Sequence, residues 1–346
     1  MKVDRRTFLW ATLATACGCR RSGAGDELEG AVRYLWNQQA PDGGFHSATY
    51  GLLASGQSLT PFVLDTLLDV PEGVTPRPAG GVGGAVGFIR SHTRADGALG
   101  LMGDAGADYP NYATALAVQA LVKAGEHDVG AMVGQLRRQQ FAEPGGWAEI
   151  DDAYGGWGMG GPVRRPPQAG HVDLSMTRSV LEALRAAGVP ASDPAIRKAL
   201  VYLERSQNPD GGFFFSPVNP QTNKAGESGG GFRSYGTATA DGLLALRATG
   251  ASEGDERVVG ARRWLEAHHV PEGAPGLDEG PYDGWDAGLR FYYAGVISRA
   301  MPHLEVVLPP PQSDGSYRNA SNLVKEDDPL IATAFALQAL RNRAGF

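Results

Sequence analysis

A glycine-rich turn recurs six times in this chain of 346 residues, each time between two stretches with helical periodicity. The six turns cover 39–45, 94–97, 143–147, 208–213, 274–277 and 313–317. Asp-Gly and Gly-Gly steps supply a side-chain acceptor and positive φ angles, which is the chemistry of tight turns. The turn aspartates are therefore interpreted as structural, and the recurrence predicts an array of helical hairpins.

The second helix of each unit is apolar around most of its circumference and rich in alanine. These helices are predicted over 61–69, 112–124, 174–187, 237–249, 291–300 and 330–342. A helix that is apolar on all sides is buried, whereas first helices such as 195–205 and 256–267 have one apolar stripe and suit an outer layer. The sequence thus predicts an all-α fold, an (α/α)6 toroid with inner and outer helix rings, as one domain over 26–346. Long loops, at 148–172, 214–234 and 274–289, are expected over one mouth of its central cavity.

The charge balance argues against nucleic acid as a partner. There are 31 basic and 38 acidic residues, a net charge of −7, and no basic cluster to bind phosphates. Both cysteines, Cys17 and Cys19, lie in the first twenty residues, so the toroid has no disulfide and no cysteine ligand for a metal. Histidine spacing predicts no metal site, and no sequence motif indicates a cofactor.

Residues 1–25 have the features of an export signal. Arg5-Arg6 precedes an apolar run that ends at Ala16 and is too short to span a bilayer, which resembles a twin-arginine signal. The following Cys17 completes a segment similar to a lipobox, in which the cysteine accepts lipid. We therefore expect an exported protein, facing the periplasm or the exterior and attached to the membrane only through a lipid on Cys17. An ordinary terminus with two chance arginines is the alternative.

The turns of the type Gln39-Ala40-Pro41-Asp42-Gly43-Gly44-Phe45, together with the small-residue second helices, resemble the repeats of squalene-hopene cyclases and protein prenyltransferase β subunits. Segments 173–178, 210–217, 219–226 and 230–236 look like an exported bacterial group of prenyltransferase/squalene-oxidase-repeat proteins without an assigned reaction. The resemblance runs from about residue 28 to 344. It implies an α/α toroid that binds an apolar or isoprenoid-like small molecule in its cavity.

The catalytic motifs of these families are incomplete in this chain. Cyclases protonate an alkene with the middle carboxylate of Asp-x-Asp-Asp-Thr, and the matching segment 173–177 keeps only the first carboxylate, Asp173. The zinc-ligand positions of the prenyltransferases fall on Tyr235, Thr237 and Ala332, so zinc is not expected. Whether the protein is an enzyme stays open at this point.

A few acids remain as candidates for chemistry. Asp151 and Asp152 are adjacent carboxylates that suit acid and base roles or Mg²⁺, or else cap a turn. His171 and Asp173 either form an acid–base pair at the rim or cap a helix. Asp241 lies within a second helix, among alanine and leucine. Its carboxylate is expected to be buried unless a cavity or a hydrogen-bond donor meets it, which makes Asp241 a candidate. The acids at 326–328 are interpreted as helix-start residues.

Aromatic residues near the starts of the second helices either line a cavity for an isoprenoid or fill the barrel. They are Tyr112, Tyr235, Tyr292, Tyr293 and Phe335. Two other functions stay open: a non-catalytic binding or scaffolding toroid whose protein partner is unknown, and an α/α barrel that cleaves glycans with paired carboxylates.

Overall fold

The structure is a computed structural model that describes residues 11–103, 106–278 and 280–346, without the side chains of 11–22, 24, 102, 103, 106 and 107. Arg5-Arg6 and the side chain of Cys17 lie outside the described residues. The α-helices are α1 (Ala11–Asn37), α2 (Leu59–Leu68), α3 (Gly81–His92), α4 (Pro110–Lys123), α5 (Gly130–Arg138), α6 (Leu174–Ala186), α7 (Pro194–Ser206), α8 (Gly236–Thr249), α9 (Glu256–His268), α10 (Trp285–Gly288), α11 (Arg290–Ala300) and α12 (Pro329–Arg343). Two antiparallel hairpins pair β1 (Met102–Gly103) with β2 (Gly106–Ala107) and β3 (Glu227–Ser228) with β4 (Gly231–Phe232).

Six helices form a closed inner ring. Each helix of the ring packs against the next in the order α2, α4, α6, α8, α11 and α12, and α12 packs back against α2. Five helices lie outside: α1 packs on α12, α3 on α2, α5 on α4, and both α7 and α9 on α8. The predicted all-α toroid with inner and outer helices is confirmed, and the apolar, alanine-rich helices are the inner ones.

The sixth unit has no outer helix in the described chain. Residues 301–328, which connect α11 to α12, run as turns and extended chain. The segment contains Pro309-Pro310-Pro311, and successive prolines lack the N–H groups that a helix needs and push the preceding residue into an extended conformation. The apolar Val306 and Tyr317 of this segment are nevertheless buried, so it still covers the inner ring.

In five of the six units, one hydrogen bond ties the turn to the inner ring. In the first turn the backbone N–H of Phe45 donates to Oγ1 of Thr60 on α2, at 2.9 Å. The same bond joins Leu99 to Thr114, Trp157 to Thr177, Phe213 to Thr239 and Tyr317 to Thr333. The turn aspartates accept local N–H bonds, such as Gly44 to Asp42, which is the structural role expected of them.

A glycine in each of these turns lies against the backbone of the next outer helix. At Gly211 φ is +89°, and a Cβ would lie 2.6 Å from the carbonyl oxygen of Gly260 on α9. Equivalent contacts place Gly43 on Gly84 of α3, Gly97 on Ala131 of α5, Gly155 on Lys198 of α7, and Gly315 on Gly30 of α1. The glycines thus bring successive outer helices together, and the last of them closes the ring.

The third turn lies later in the chain than the sequence predicts. Gln39 and Gln207 donate to the carbonyl of the glycine four residues ahead, whereas Gln140 donates to that of Gly155, 15 residues ahead. Residues 143–147 belong to the inserted segment, where a short 3-10 turn begins at Glu143. The repeat itself continues at Gly155.

We expect Gly211→Ala to destabilise the toroid more than a left-handed φ alone explains. That conformation costs a residue with a Cβ about 1–2 kcal/mol, and at Gly211 the Cβ also collides with α9. Gly188→Ala is the control, because its φ is +80° and nothing lies within 4 Å of a Cβ there. Urea unfolding of both variants measures the difference, and equal losses would show that close approach is unimportant.

Candidate functional site

A cavity lies at the end of the ring where the inner helices begin. It has two parts, of about 310 Å³ and about 530 Å³. Both parts are lined by Tyr109, Tyr112, Ser175, Phe215, Lys224, Tyr292 and Val324, so they form one continuous space. All six inner helices contribute residues from their first turns or the residue before them, which explains why no single sequence motif marks the site.

Aromatic rings form much of the cavity wall. Of the five aromatic residues expected there, Tyr112, Tyr235, Tyr292 and Phe335 line it. The Phe335 ring lies 4.8 Å from that of Phe62 and 5.2 Å from that of Tyr292, centroid to centroid. Flat apolar surfaces of this kind suit an extended hydrocarbon or a ligand with π electrons.

Tyr293 does not follow its expected placement. Its hydroxyl lies 3.1 Å from Nδ1 of His269, beyond the end of the outer helix α9, and the side chain is buried there. Neighbouring positions of a helix face different directions, separated by about 100°. Tyr292 therefore faces the cavity while Tyr293 faces the outer layer.

Asp241 projects from α8 into the cavity wall and is buried with two partners. Tyr292 donates its hydroxyl to Oδ2 at 2.7 Å, and Nε of Arg178 on α6 lies 2.8 Å from Oδ1. Burial raises the pKa of Asp241 to about 6, although the Arg178 charge and the Tyr292 hydrogen bond both act to lower it. The carboxylate is thus an ion-pair partner whose two oxygens are already engaged.

The pair extends into a buried charge cluster below the cavity. Arg178 also contacts Glu182, one helical turn along α6, at 2.7 Å. Arg299 of α11 contacts the other oxygen of Glu182 at 2.6 Å. Burial acts to raise the pKa of Glu182, but the two arginines outweigh it and hold that pKa below its usual value. Two acids and two bases from three inner helices therefore neutralise one another.

Sequence reasoning missed this cluster, although a signal existed. Arg178 and Glu182 stand four residues apart in a helix predicted to be buried on all sides. Opposite charges at that spacing face each other, and a charged pair in a buried helix requires a third partner or a cavity. Asp241 was identified as buried, but the sequence does not show that α6 and α8 are adjacent.

Asp173 is the N-cap of α6. Its Oδ1 accepts the backbone N–H of Met176 at 2.7 Å and the hydroxyl of Ser175 at 2.8 Å, while Oδ2 lies 2.7 Å from Nε2 of His171. Burial acts to raise the pKa of Asp173, but His171 and these donors outweigh it and lower the pKa. The side chains of His171 and Asp173 both line the larger part of the cavity. Asp173 therefore caps α6 and also pairs with His171 at the cavity rim.

Asp151 and Asp152 lie apart from the cavity lining. Asp151 accepts the backbone N–H of Ala148 at 2.7 Å and so closes a turn within the inserted segment. Arg205 of the outer helix α7 donates to the backbone carbonyl of Asp151, at 2.5 Å. Asp152 is exposed. The pair therefore follows the turn interpretation, and the carboxylates do not meet the acids of the inner ring.

Of the acids at 326–328, Glu326 and Asp328 cap helix starts, whereas Asp327 accepts the hydroxyl of Tyr50. Glu326 accepts the backbone N–H groups of Phe291 and Tyr292, at 3.0 and 2.7 Å, and so caps α11 from a distant loop. Asp328 caps α12 through the N–H of Leu330. Burial raises the pKa of Glu326 to about 7, against the effect of its hydrogen-bond donors. These caps fix the helix starts on which Tyr292 and Phe335 stand.

Two lysines that the sequence did not single out also line the cavity. Nζ of Lys224 lies 4.0 Å from the centroid of the Phe215 ring and 4.9 Å from that of Trp285. Nζ of Lys325 lies 5.4 Å from the centroid of Tyr109 and 5.8 Å from that of Tyr50. Both ammonium groups therefore rest on aromatic faces.

The backbone is strained at this mouth. Among the described residues other than glycine, positive φ occurs at Tyr109 (41°) and Lys325 (65°). The two side chains are in cation–π contact and both line the smaller part of the cavity. Left-handed conformations at residues with a Cβ persist where surrounding structure imposes them, and such positions cluster at ligand sites.

The described residues hold no group of three or more His, Cys, Asp or Glu side chains arranged for a metal ion. The same part of the chain has no helix with the length and apolarity to cross a membrane.

We expect Arg178→Met to destabilise the fold by about 3–5 kcal/mol, because it leaves Asp241 and Glu182 buried with one basic partner fewer. Adding Asp241→Asn should recover part of the loss by removing one uncompensated charge. Arg197→Met on the exposed side of α7 is the matched control, expected to change stability by less than about 0.5 kcal/mol. Denaturant unfolding measures all three, and a loss no larger than the control would contradict the cluster's role.

Comparison with known sequences gives one family match: the family described as squalene-hopene cyclase C-terminal domain matches residues 168–294. A squalene–hopene cyclase of Bradyrhizobium diazoefficiens is 32% identical over 201 residues, 54% of this chain and 27% of that protein. A probable squalene–hopene cyclase of Sinorhizobium fredii is 34% identical over 145 residues, 40% of this chain and 19% of its own length. The chain thus spans about a quarter or less of these relatives.

Among solved structures, a variant of the type II terpene cyclase MstE from Scytonema, in complex with merosterolic acid A, aligns over 94% of this chain and 98% of its own. The identity is 14% and the TM-score 0.39. A protein from Actinoplanes aligns over 93% and 99%, with 18% identity and a TM-score of 0.36. The family match and the two cyclase relatives thus make this part of the chain similar to squalene–hopene cyclases. The closed ring of inner helices is the α/α toroid that the sequence predicts.

Proposed function

We propose that this protein binds an apolar, isoprenoid-like molecule in the cavity at the mouth of its inner ring. The observation that carries the proposal is an aromatic-lined space that the barrel's own side chains do not fill. Phe62, Phe335 and Tyr292 form a continuous aromatic wall along its smaller part. The relatives are named as squalene–hopene cyclases, and those names agree with an isoprenoid ligand.

Binding is better supported than proton-initiated cyclisation. Protonating an alkene needs a strong acid with a free proton aimed at the substrate. Asp241 instead has Arg178 on one oxygen and a Tyr292 hydroxyl on the other, and the pKa of Asp173 is lowered by His171 and its other donors despite burial. Ser175, in the position of the family's middle carboxylate, donates its hydroxyl to Asp173 and supplies no acid.

The alternative functions have weaker support. Glycan cleavage needs two carboxylates facing a sugar in an open polar groove, whereas this lining is mainly aromatic and aliphatic and its two aspartates are engaged. A scaffolding toroid would not require an unfilled apolar cavity with strained residues at its rim. Ligand binding is the function that uses both the unfilled apolar cavity and the strained residues at its rim.

The proposal predicts that geranylgeraniol or squalene stabilises the purified protein. A ligand at a hundredfold excess over its Kd adds about 2.7 kcal/mol to the free energy of unfolding, which thermal unfolding detects as a higher Tm. Val324→Trp should abolish the effect, because Val324 lines both parts of the cavity. Val307→Trp, on the same segment at an exposed position, should preserve it. No Tm shift with either ligand in the unmodified protein would refute the proposal.

We further propose that the protein is exported and carries a lipid on Cys17. Arg5-Arg6 before a short apolar run, and the small residues before Cys17, support the idea. An extracytoplasmic location also fits a ligand that partitions into membranes.

Fractionation of cells that express the full chain tests the two parts separately. Replacing Arg5 and Arg6 by lysine should retain the protein in the cytoplasm. Cys17→Ser should leave export unchanged but prevent incorporation of a labelled fatty acid. Export of the lysine variant at the normal level would exclude the twin-arginine route, and unchanged labelling of the serine variant would exclude Cys17 as the acceptor.

A further inference from the structure

Lys224 brings an ammonium group to both parts of the cavity. Its ammonium rests between Phe215 and Trp285 and donates to the backbone carbonyl of Thr222 at 3.3 Å. Within the described chain no acidic side chain forms an ion pair with it. Burial lowers the pKa of Lys224 to about 8, although the charges of Asp173 and Asp241 raise it.

The cavity acids are committed elsewhere. Asp173 is held by His171, Ser175 and the start of α6, and Asp241 by Arg178 and Tyr292. Lys325, the other lysine of the lining, likewise contacts aromatic rings and makes no ion pair within the described chain. The lining that faces a ligand is therefore apolar except for the ammonium groups of Lys224 and Lys325, neither of which forms an ion pair with a described residue.

We propose that the ligand is an amphipathic anion, an isoprenoid-like chain that ends in a carboxylate, and that Lys224 binds the carboxylate. This inference rests on the proposed function and specifies, in addition, the polar end group of the ligand. Phe215 and Trp285 shield the ammonium from water on their side, which strengthens an ion pair formed there. The hydrocarbon extends from Lys224 along Tyr292 and Phe335, which line the same part of the cavity.

A carboxylate fits better than a diphosphate. Asp173 and Asp241 act on Lys224 electrostatically, so a group with several negative charges would be repelled by both. Diphosphates are usually held with Mg²⁺ and acidic ligands, and the described residues contain no cluster of acids arranged for a metal. The Lys224 ammonium, between the apolar rings of Phe215 and Trp285, matches a single negative charge.

Three ligands with the same C20 chain test the proposal by titration calorimetry at pH 7: geranylgeranoic acid, geranylgeraniol and geranylgeranyl diphosphate. The acid should bind about tenfold or more tightly than the alcohol, as expected for a charge-assisted contact. Lys224→Met should remove that preference and leave the alcohol's affinity unchanged. Lys198→Met is the matched control, because Lys198 lies on the outer helix α7, pairs with Glu143 and does not line the cavity, so the acid should keep its preference there. In the unmodified protein the preference should also decline as the pH rises above about 8.

The outcomes separate the two proposals. If the alcohol binds but the acid binds no better, the carboxylate proposal is wrong and the apolar binding function stands. The same holds if Lys224→Met weakens both ligands equally. Tighter binding of the diphosphate than of the acid would overturn the choice of head group. If none of the three binds, the proposed function itself fails, and the role of Lys224 fails with it.

Discussion

The rest of the toroid depends on how five of its six turns join neighbouring helices. A backbone N–H donates to a threonine hydroxyl of the inner helix, as Phe213 does to Thr239. Beside it a glycine in the left-handed conformation meets the backbone of the next outer helix, as Gly211 meets Gly260. A glutamine such as Gln207 bridges the same two elements through carbonyl oxygens. The partners in this arrangement are backbone groups and the side chains of one threonine and one glutamine, so the spacing between units is fixed within narrow limits.

This constraint accounts for where the structure is irregular. The turn at 274–277 precedes the unit without an outer helix, and Gly276 there meets the backbone of Ser234 in place of a helix. The segment 301–328 that replaces the missing helix supplies Val324 and Lys325 to the cavity mouth. An insertion between Gln140 and Gly155 is tolerated because both ends keep their contacts. The segments that depart from the repeat thus supply residues that distinguish this cavity, whereas the regular repeats hold the helices in place.

The cavity combines features with opposite physical tendencies. Aromatic walls favour an apolar ligand, yet charged residues lie directly below and beside them. The cluster of Asp241, Arg178, Glu182 and Arg299 resolves the conflict internally, because its acids and bases neutralise each other across three helices. Lys224 is different, since its ammonium contacts two rings and a carbonyl and forms no ion pair with a described residue. A buried site that neutralises its acids and leaves an ammonium accessible is selective for the charge of what enters.

The sequence by itself determined the six inner helices and the presence of an outer layer, because periodicity of apolar residues and the glycine turns are local signals. It predicted six complete hairpins and was wrong in one unit, since residues 301–328 form no outer helix. It also determined that the turn aspartates are structural and that Asp241 is buried. It misplaced the third turn, since an insertion between Gln140 and Gly155 has no local mark, and it placed Tyr293 in the cavity beside Tyr292. Only the tertiary structure decided which inner helices are neighbours. That adjacency brings Arg178 to Asp241 and Lys224 to Phe215 and Trp285, and side chains that meet across helices distant in sequence leave no common pattern along the chain.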